Sequence, residues 1–163
     1  TSSSSTTSPN LTKKYDNSIR DIPKAIKYYQ KAIEKDCPDV VDLFLWSAAQ
    51  NDCHTLDILF KAGIDPNCRA QGPGLTALYG ATTSRKCSDA VRLLLEKGAD
   101  PTIPTGIGER TVSLLHHAVW LSSVDTVRQL IDAPGGHTLI NQAMDDYTTP
   151  LSLAAQTREI AMI

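Results

Sequence analysis

The sequence predicts an all-α fold, a solenoid of stacked helix-turn-helix units that follows an N-terminal capping helix. The segment Leu93–Asp100 repeats Ile58–Asp65 at an offset of 35 residues, with the same apolar triplet followed by Gly and Asp. A second motif, a Thr or Ser two positions before a Leu, opens a segment at Thr76, Ser113 and Thr149. A fixed period in this range predicts stacked units, because one unit cannot bury its apolar face alone.

The N-terminal region divides into a tail and one helix. Residues 1–20 begin with a Ser/Thr-rich stretch that contains no core-forming side chain, so we expect a disordered tail. Residues 21–41 hold a helix with Asp21 as N-cap and Pro23 in the first turn. Apolar residues at i, i+3, i+4 and i+7 form one stripe, Ile22, Ala25, Ile26, Tyr29, Ala32 and Ile33. We interpret this helix as a cap on the first repeat, although it also loosely resembles the second helix of a tetratricopeptide repeat.

The repeat array is expected over residues 42–163. Its units span about 42–70, 71–105, 106–141 and 142–163, and the last is incomplete. Gly63 and Gly98 follow the apolar triplets, where a helix ends in a left-handed residue. In the first unit Asn51 stands at the turn between the two helices, and Asn also tolerates left-handed backbone. The segment 103–110 lengthens the hairpin between the second and third units.

Together these motifs resemble the ankyrin repeat, whose pattern is T-P-L-H-x-A-A, then V-V-x-L-L-L, then G-A-D. The best match to its opening is Thr149-Pro150-Leu151-Ser152-Leu153-Ala154-Ala155. The resemblance implies an ankyrin-type helical solenoid, made of helix-turn-helix repeats with short β-hairpin-like loops. It also implies that His116 is a structural residue, hydrogen-bonded within the stack, and that partners dock on the concave face.

Carried onto this sequence, the resemblance implies partner-binding residues at the ends of the inner helices and at the hairpin tips. Trp120 is a candidate contact, and the alternative is that it packs beneath the preceding hairpin. Trp46 is expected to be buried against the N-terminal helix. The candidate partner-binding residues are Gln50, Gln71, Leu75, Ser84, Glu109, Arg110, Val112, Trp120, Leu121, Asp145 and Tyr147.

Sites for catalysis, metals and cofactors are not predicted. Adjacent His116 and His117 point about 100° apart on a helix and make a poor chelating pair. No two cysteines have C-x-x-C spacing, so we expect free thiols in an intracellular protein, cytoplasmic or nuclear. Cys87 follows the cations Arg85 and Lys86, an arrangement found at reactive thiols, but a lone loop thiol is the preferred interpretation.

These observations predict a non-catalytic protein–protein interaction module. The net charge of −2 gives no reason to expect nucleic acid as a partner, and no apolar run reaches the ~20 residues needed to insert into a membrane. One alternative is a regulatory or substrate-recruiting segment of a larger enzyme or channel whose active part lies outside this chain. Another is self-association through the incomplete last repeat.

Overall fold

The computed structural model describes residues 21–71, 74–83, 86–107, 110–121, 123–144 and 146–157. The predicted tail, and the candidate contacts Ser84, Glu109 and Asp145, lie outside these ranges. The described chain forms α1 (Ile22–Glu34), α2 (Pro38–Ala49), α3 (Cys53–Lys61), α4 (Ala77–Thr82), α5 (Ser88–Glu96), β1 (Thr105–Ile107), β2 (Arg110–Val112), α6 (Leu114–Trp120), α7 (Val124–Asp132), α8 (His137–Ile140) and α9 (Pro150–Thr157).

The helices form two layers, which confirms the predicted helical solenoid. In the inner layer α2 packs on α4, α4 on α6, and α6 on α9. In the outer layer α3 packs on α5, and α5 on α7. Each outer helix also contacts the inner helix that precedes it in the chain, so every unit is a helix pair stacked on the next one.

The core lies between the two layers. Phe44, Leu78 and Leu115 are buried at corresponding positions of three inner helices. Fully burying one such side chain stabilises the fold by roughly 1.5–3 kcal/mol. The outer helices contribute a matching buried set, Leu59, Leu94 and Leu130.

The turns that end the outer helices follow the prediction. Gly63 and Gly98 have φ of 93° and 91°. After each glycine, a backbone N–H donates back into the helix, from Ile64 to Leu59 at 3.2 Å and from Ala99 to Leu94 at 2.9 Å. This is the Schellman ending, which gives partners to carbonyl groups that the helix leaves unpaired.

Helix α1 ends in the same way. Asp36 has φ of 51°, and the N–H of Cys37 donates to the Ala32 carbonyl at 3.0 Å. The helix packs against α3, as α3 packs against α5. In both features α1 resembles the outer helices α3 and α5. Its predicted N-cap is confirmed, since an Asp21 carboxylate oxygen accepts from the Lys24 N–H at 3.3 Å.

The region that joins α1 to the array differs in two details from the sequence analysis. Ile22, assigned to the apolar stripe, is exposed because it stands in the first position of α1, whereas Ala25 and Tyr29 are buried. Helix α2 begins at Pro38 and runs across residue 42, where the array was expected to begin. The division into a cap and an array stays a prediction.

The described parts of the segments between units contain little strand. Strands β1 and β2 pair antiparallel, with Thr105 opposite Val112 and Ile107 opposite Arg110. Strand β1 lies within the segment 103–110, whose extra length predicted a longer hairpin, and β2 begins at its last residue. The loop before α4 holds a single antiparallel bridge, between Arg69 and Thr76.

Candidate protein-docking surface

The register of the inner helices is fixed by the hydrogen bonds at their ends. Thr76 and Ser113 each cap the start of a helix. The Thr76 hydroxyl oxygen accepts from the Tyr79 N–H at 3.3 Å, and the Ser113 hydroxyl oxygen accepts from the His116 N–H at 3.4 Å. At the other end, Asp52 N–H donates to Ser47 and Ser123 N–H to Ala118, at 2.9 and 3.1 Å. Aligning the inner helices by these bonds gives two sets of equivalent positions. The first set, near the ends of the helices, is Ala49, Thr83 and Trp120. The second set, three residues earlier, is Trp46, Gly80, His117 and Leu153.

Trp120 is the most prominent side chain at these helix ends. It is the last residue of α6 and 63% of its surface is exposed, so it is not buried beneath the preceding hairpin. Its equivalents Ala49 and Thr83 are small. Two predicted contacts are C-cap residues at these helix ends: Gln50, next to Ala49, is exposed, and Leu121, next to Trp120, is half-buried. A rigid aromatic side chain of this exposure suits a protein contact.

Trp46 was expected to be buried, and that expectation is wrong, since 43% of its surface is exposed. Its equivalents face the preceding inner helix. A Cβ atom on Gly80 would lie 3.2 Å from the Leu45 carbonyl oxygen, and the His117 ring centroid is 5.1 Å from that of Tyr79. Within the described residues no inner helix precedes α2, so the corresponding side of Trp46 is open.

The loop residues predicted as contacts fall into two groups. Gln71 is exposed, and Tyr147 is 88% exposed at a left-handed turn with φ of 61°. Leu75 and Val112 are half-buried, and Leu75 packs partly on the core, so it serves the fold as well. Arg110 lies in β2, opposite Ile107.

His116 is a structural residue, as the resemblance implied. The ring is buried, and its Nε2 donates to the Thr148 carbonyl at 2.9 Å. Its Nδ1 then accepts from the Ser113 hydroxyl at 2.7 Å. Burial lowers the pKa of His116, and the hydrogen bond to Thr148 opposes that shift. The residue therefore joins α6 to the loop that precedes α9.

His117 has a different environment. Burial also lowers the pKa of its ring, and a backbone hydrogen bond to Thr82 opposes the shift. Its Nδ1 is buried without a hydrogen-bond partner. Among the described residues no three His, Cys, Asp or Glu side chains are grouped so that they could hold a metal ion.

Cys87 is a buried residue, not the loop thiol that the sequence suggested. It is the N-cap residue of α5, and its sulfur lies 3.3 Å from the Ala49 carbonyl oxygen of the preceding unit, within hydrogen-bonding reach. It thus belongs to the interface between the first two units. All four cysteines are free, and burial raises the pKa of Cys68 to about 11.

Across the described ranges the helices are too short or too polar to span a bilayer.

Comparison with known proteins identifies one family. A search of curated proteins finds no match for this chain. A family model for ankyrin repeats matches residues 44–139, as three copies, and so covers more than half of the chain. The chain belongs to the ankyrin repeat family.

Proposed function

We propose that this chain is a non-catalytic recognition module that binds another protein through the exposed ends of its inner helices and the adjacent loops. Ankyrin repeats are generally protein–protein interaction modules and are typically non-catalytic. The observation that carries the proposal is the exposure of Trp120 at the end of α6. With four free cysteines, we expect the protein to act inside the cell, in the cytoplasm or nucleus.

The size of Trp120 sets the scale of its contribution. A large aromatic side chain buries roughly 150–250 Å². At about 25 cal/mol per Å², covering the exposed fraction of Trp120 gives an upper limit of about 2.5–4 kcal/mol. Part of this is offset by ordering costs, so we expect truncation to cost about 2 kcal/mol of binding, the level of an interface hot spot.

The test is comparative affinity capture followed by titration of the purified partner. Trp120→Ala should weaken binding roughly 30-fold, and adding an Arg110→Ala change should weaken it further. The matched control is Tyr28→Ala, which removes a half-exposed aromatic side chain from α1, away from the inner-helix ends. Equal affinity of the Trp120→Ala and Tyr28→Ala variants would refute the proposed surface.

A stability measurement accompanies the titration. Because Trp120 is mostly exposed, its removal should leave the melting temperature within about 2 °C of the wild type. A loss of stability equal to the loss of binding would assign Trp120 to the fold.

Self-association is a second candidate function, favoured by Leu151. Its equivalents Leu78 and Leu115 are 1% and 2% exposed, whereas Leu151 is 57% exposed. A second copy that covers this face of α9 would give a molar mass that rises with concentration in light scattering. Leu151→Ser should abolish that rise, and a constant monomer mass for the wild type would rule the candidate out.

The same surface would serve a module that regulates a larger enzyme or channel, or recruits its substrate. In that case the captured partner is a segment of the same polypeptide or a substrate of it. Mass spectrometry of the protein captured by the wild type and lost from Trp120→Ala separates these outcomes.

A further inference from the structure

The stack of loops is incomplete at its N-terminal end. After α3 the chain uses residues 62–76 before the next inner helix begins, and after α5 it uses residues 97–113. After α1, which has the same helix ending, it uses only residues 35–37. The three residues between α1 and α2 are too few to form a hairpin.

The loop that follows α3 is bonded to the loop that follows α5 by one side chain. The Asn67 amide oxygen accepts from the Asp100 N–H at 2.8 Å, and its amide nitrogen donates to the Gly98 carbonyl at 3.2 Å. These bonds fix the first loop to the second. On its other side, the first loop faces the junction of α1 and α2, where a hairpin would otherwise lie.

A cleft of about 370 Å³ occupies that place. This volume is at the lower end of the range for small-ligand sites. Its walls are mainly apolar, with Val41 from α2 on one side and Ile64 and Cys68 from the loop on the other. Burial and the neighbouring Asp65 raise the pKa of Cys68, so the thiol stays uncharged near neutral pH.

The rim of the cleft carries two carboxylates and one guanidinium group, a net charge of −1. Asp36 and Asp65 line it together with Arg69, and all three are exposed. Asp65 accepts the Asn67 N–H at 2.9 Å through one oxygen only. Among the described residues the ion pairs join Lys61 to Asp57 and Arg92 to Asp89, so neither rim carboxylate is neutralised by one.

We propose that this cleft binds an extended segment of a partner protein, in which an aliphatic side chain stands next to a lysine or arginine. The aliphatic group would enter between Val41 and Ile64, and the cation would pair with Asp36 and Asp65. The segment takes the position of the missing hairpin. This surface is separate from the inner-helix ends, and its test does not depend on Trp120.

The experiment is amide NMR on the full chain with two synthetic peptides, acetyl-Gly-Leu-Lys-Gly-amide and acetyl-Gly-Leu-Glu-Gly-amide. The basic peptide should produce saturable shifts at Ile64, Cys68 and Gln71. It should bind about two- to fivefold more tightly than the acidic peptide, the range expected of one exposed ion pair. Shifts of the same size with both peptides, or none with the basic one, would overturn the proposal.

Charge variants keep the test independent of folding. An Asp36→Asn, Asp65→Asn double change preserves the left-handed residue and the side-chain acceptor, because Asn supports both. It should remove the preference for the basic peptide. Asp89→Asn on α5 is the matched control and should leave the preference intact. Trp120→Ala should also leave it intact, so failure at one surface is distinguished from failure at the other.

Discussion

Asn51 allows the link between the first and second units to be measured in parts. Its backbone is left-handed, with φ of 59°, and its side-chain oxygen accepts the Ala90 N–H at 2.9 Å. The N-cap residue of α5, Cys87, makes no side-chain capping bond of its own. Asn51 therefore caps α5 from the neighbouring unit.

Three substitutions separate the capping bond from the backbone strain. Asn51→Gly keeps the left-handed backbone and removes the bond, so we expect a loss of about 1 kcal/mol. Asn51→Ala adds the left-handed cost of about 1–2 kcal/mol, for a total of about 2–3 kcal/mol. Asn51→Asp keeps the acceptor and places a charge at a helix N-terminus, so stability should be unchanged or rise by about 0.3–1 kcal/mol.

The assay is urea unfolding followed by circular dichroism at 222 nm, with the melting temperature as a second readout at about 2–4 °C per kcal/mol. Tyr147→Gly is the matched control, because Tyr147 is also left-handed but 88% exposed. It should be neutral or stabilising. If Asn51→Gly is as stable as the wild type, the bond to Ala90 contributes nothing. If Asn51→Asp is as unstable as Asn51→Gly, the capping account is wrong.

Two further predictions concern the third unit, and both use the same urea assay. A Cβ atom at position 136 would lie 2.0 Å from the Leu130 carbonyl oxygen, so Gly136→Ala should cost about 3 kcal/mol or more; Gly98→Ala, with open space around it, should cost only about 1–2 kcal/mol of left-handed strain. Equal losses would refute the steric argument. Burial lowers the pKa of His116 and His117 in the folded chain, so at a pH slightly below 6.5 the unfolded chain binds more protons than the folded chain. The free energy of unfolding should therefore decrease as the pH is lowered below 6.5, by at most about 1.4 kcal/mol per pH unit for each histidine. A His117→Gln variant should have the shallower pH dependence, and an unchanged slope would contradict this.

The sequence predicted the features that depend on local backbone chemistry. Gly63, Gly98 and Asn51 are left-handed because the helix endings require it, and that requirement is visible in the order of residues. The role of His116 followed from the repeat pattern, and its bond to Thr148 bears this out. The predicted contacts that lie at helix ends are positioned by the same register.

Features that depend on distant segments were not predictable. Trp46 is exposed because, among the described residues, no inner helix packs on that side of α2, and composition carries no signal of how neighbouring helices are arranged. The register of the turn at Asn51 was the available clue, since it aligns Trp46 with His117. The burial of Cys87 and the cleft near Asp65 arise where one unit meets the next, from residues far apart in the chain.

The bonds between units have a further consequence for how such arrays change over generations. Asn51 bonds to the main chain of Ala90, Asn67 to that of Gly98 and Asp100, and His116 to that of Thr148. In each case the partner is a main-chain group. Every amino acid supplies the carbonyl, and every amino acid except proline supplies the N–H. These hydrogen bonds therefore do not depend on the side chains at positions 90, 100 and 148, whereas Gly98 is constrained by its left-handed backbone. A recombined gene segment that carries Asn51, Asn67 or His116 therefore needs only a suitably placed main chain in its new neighbour to form the same contact.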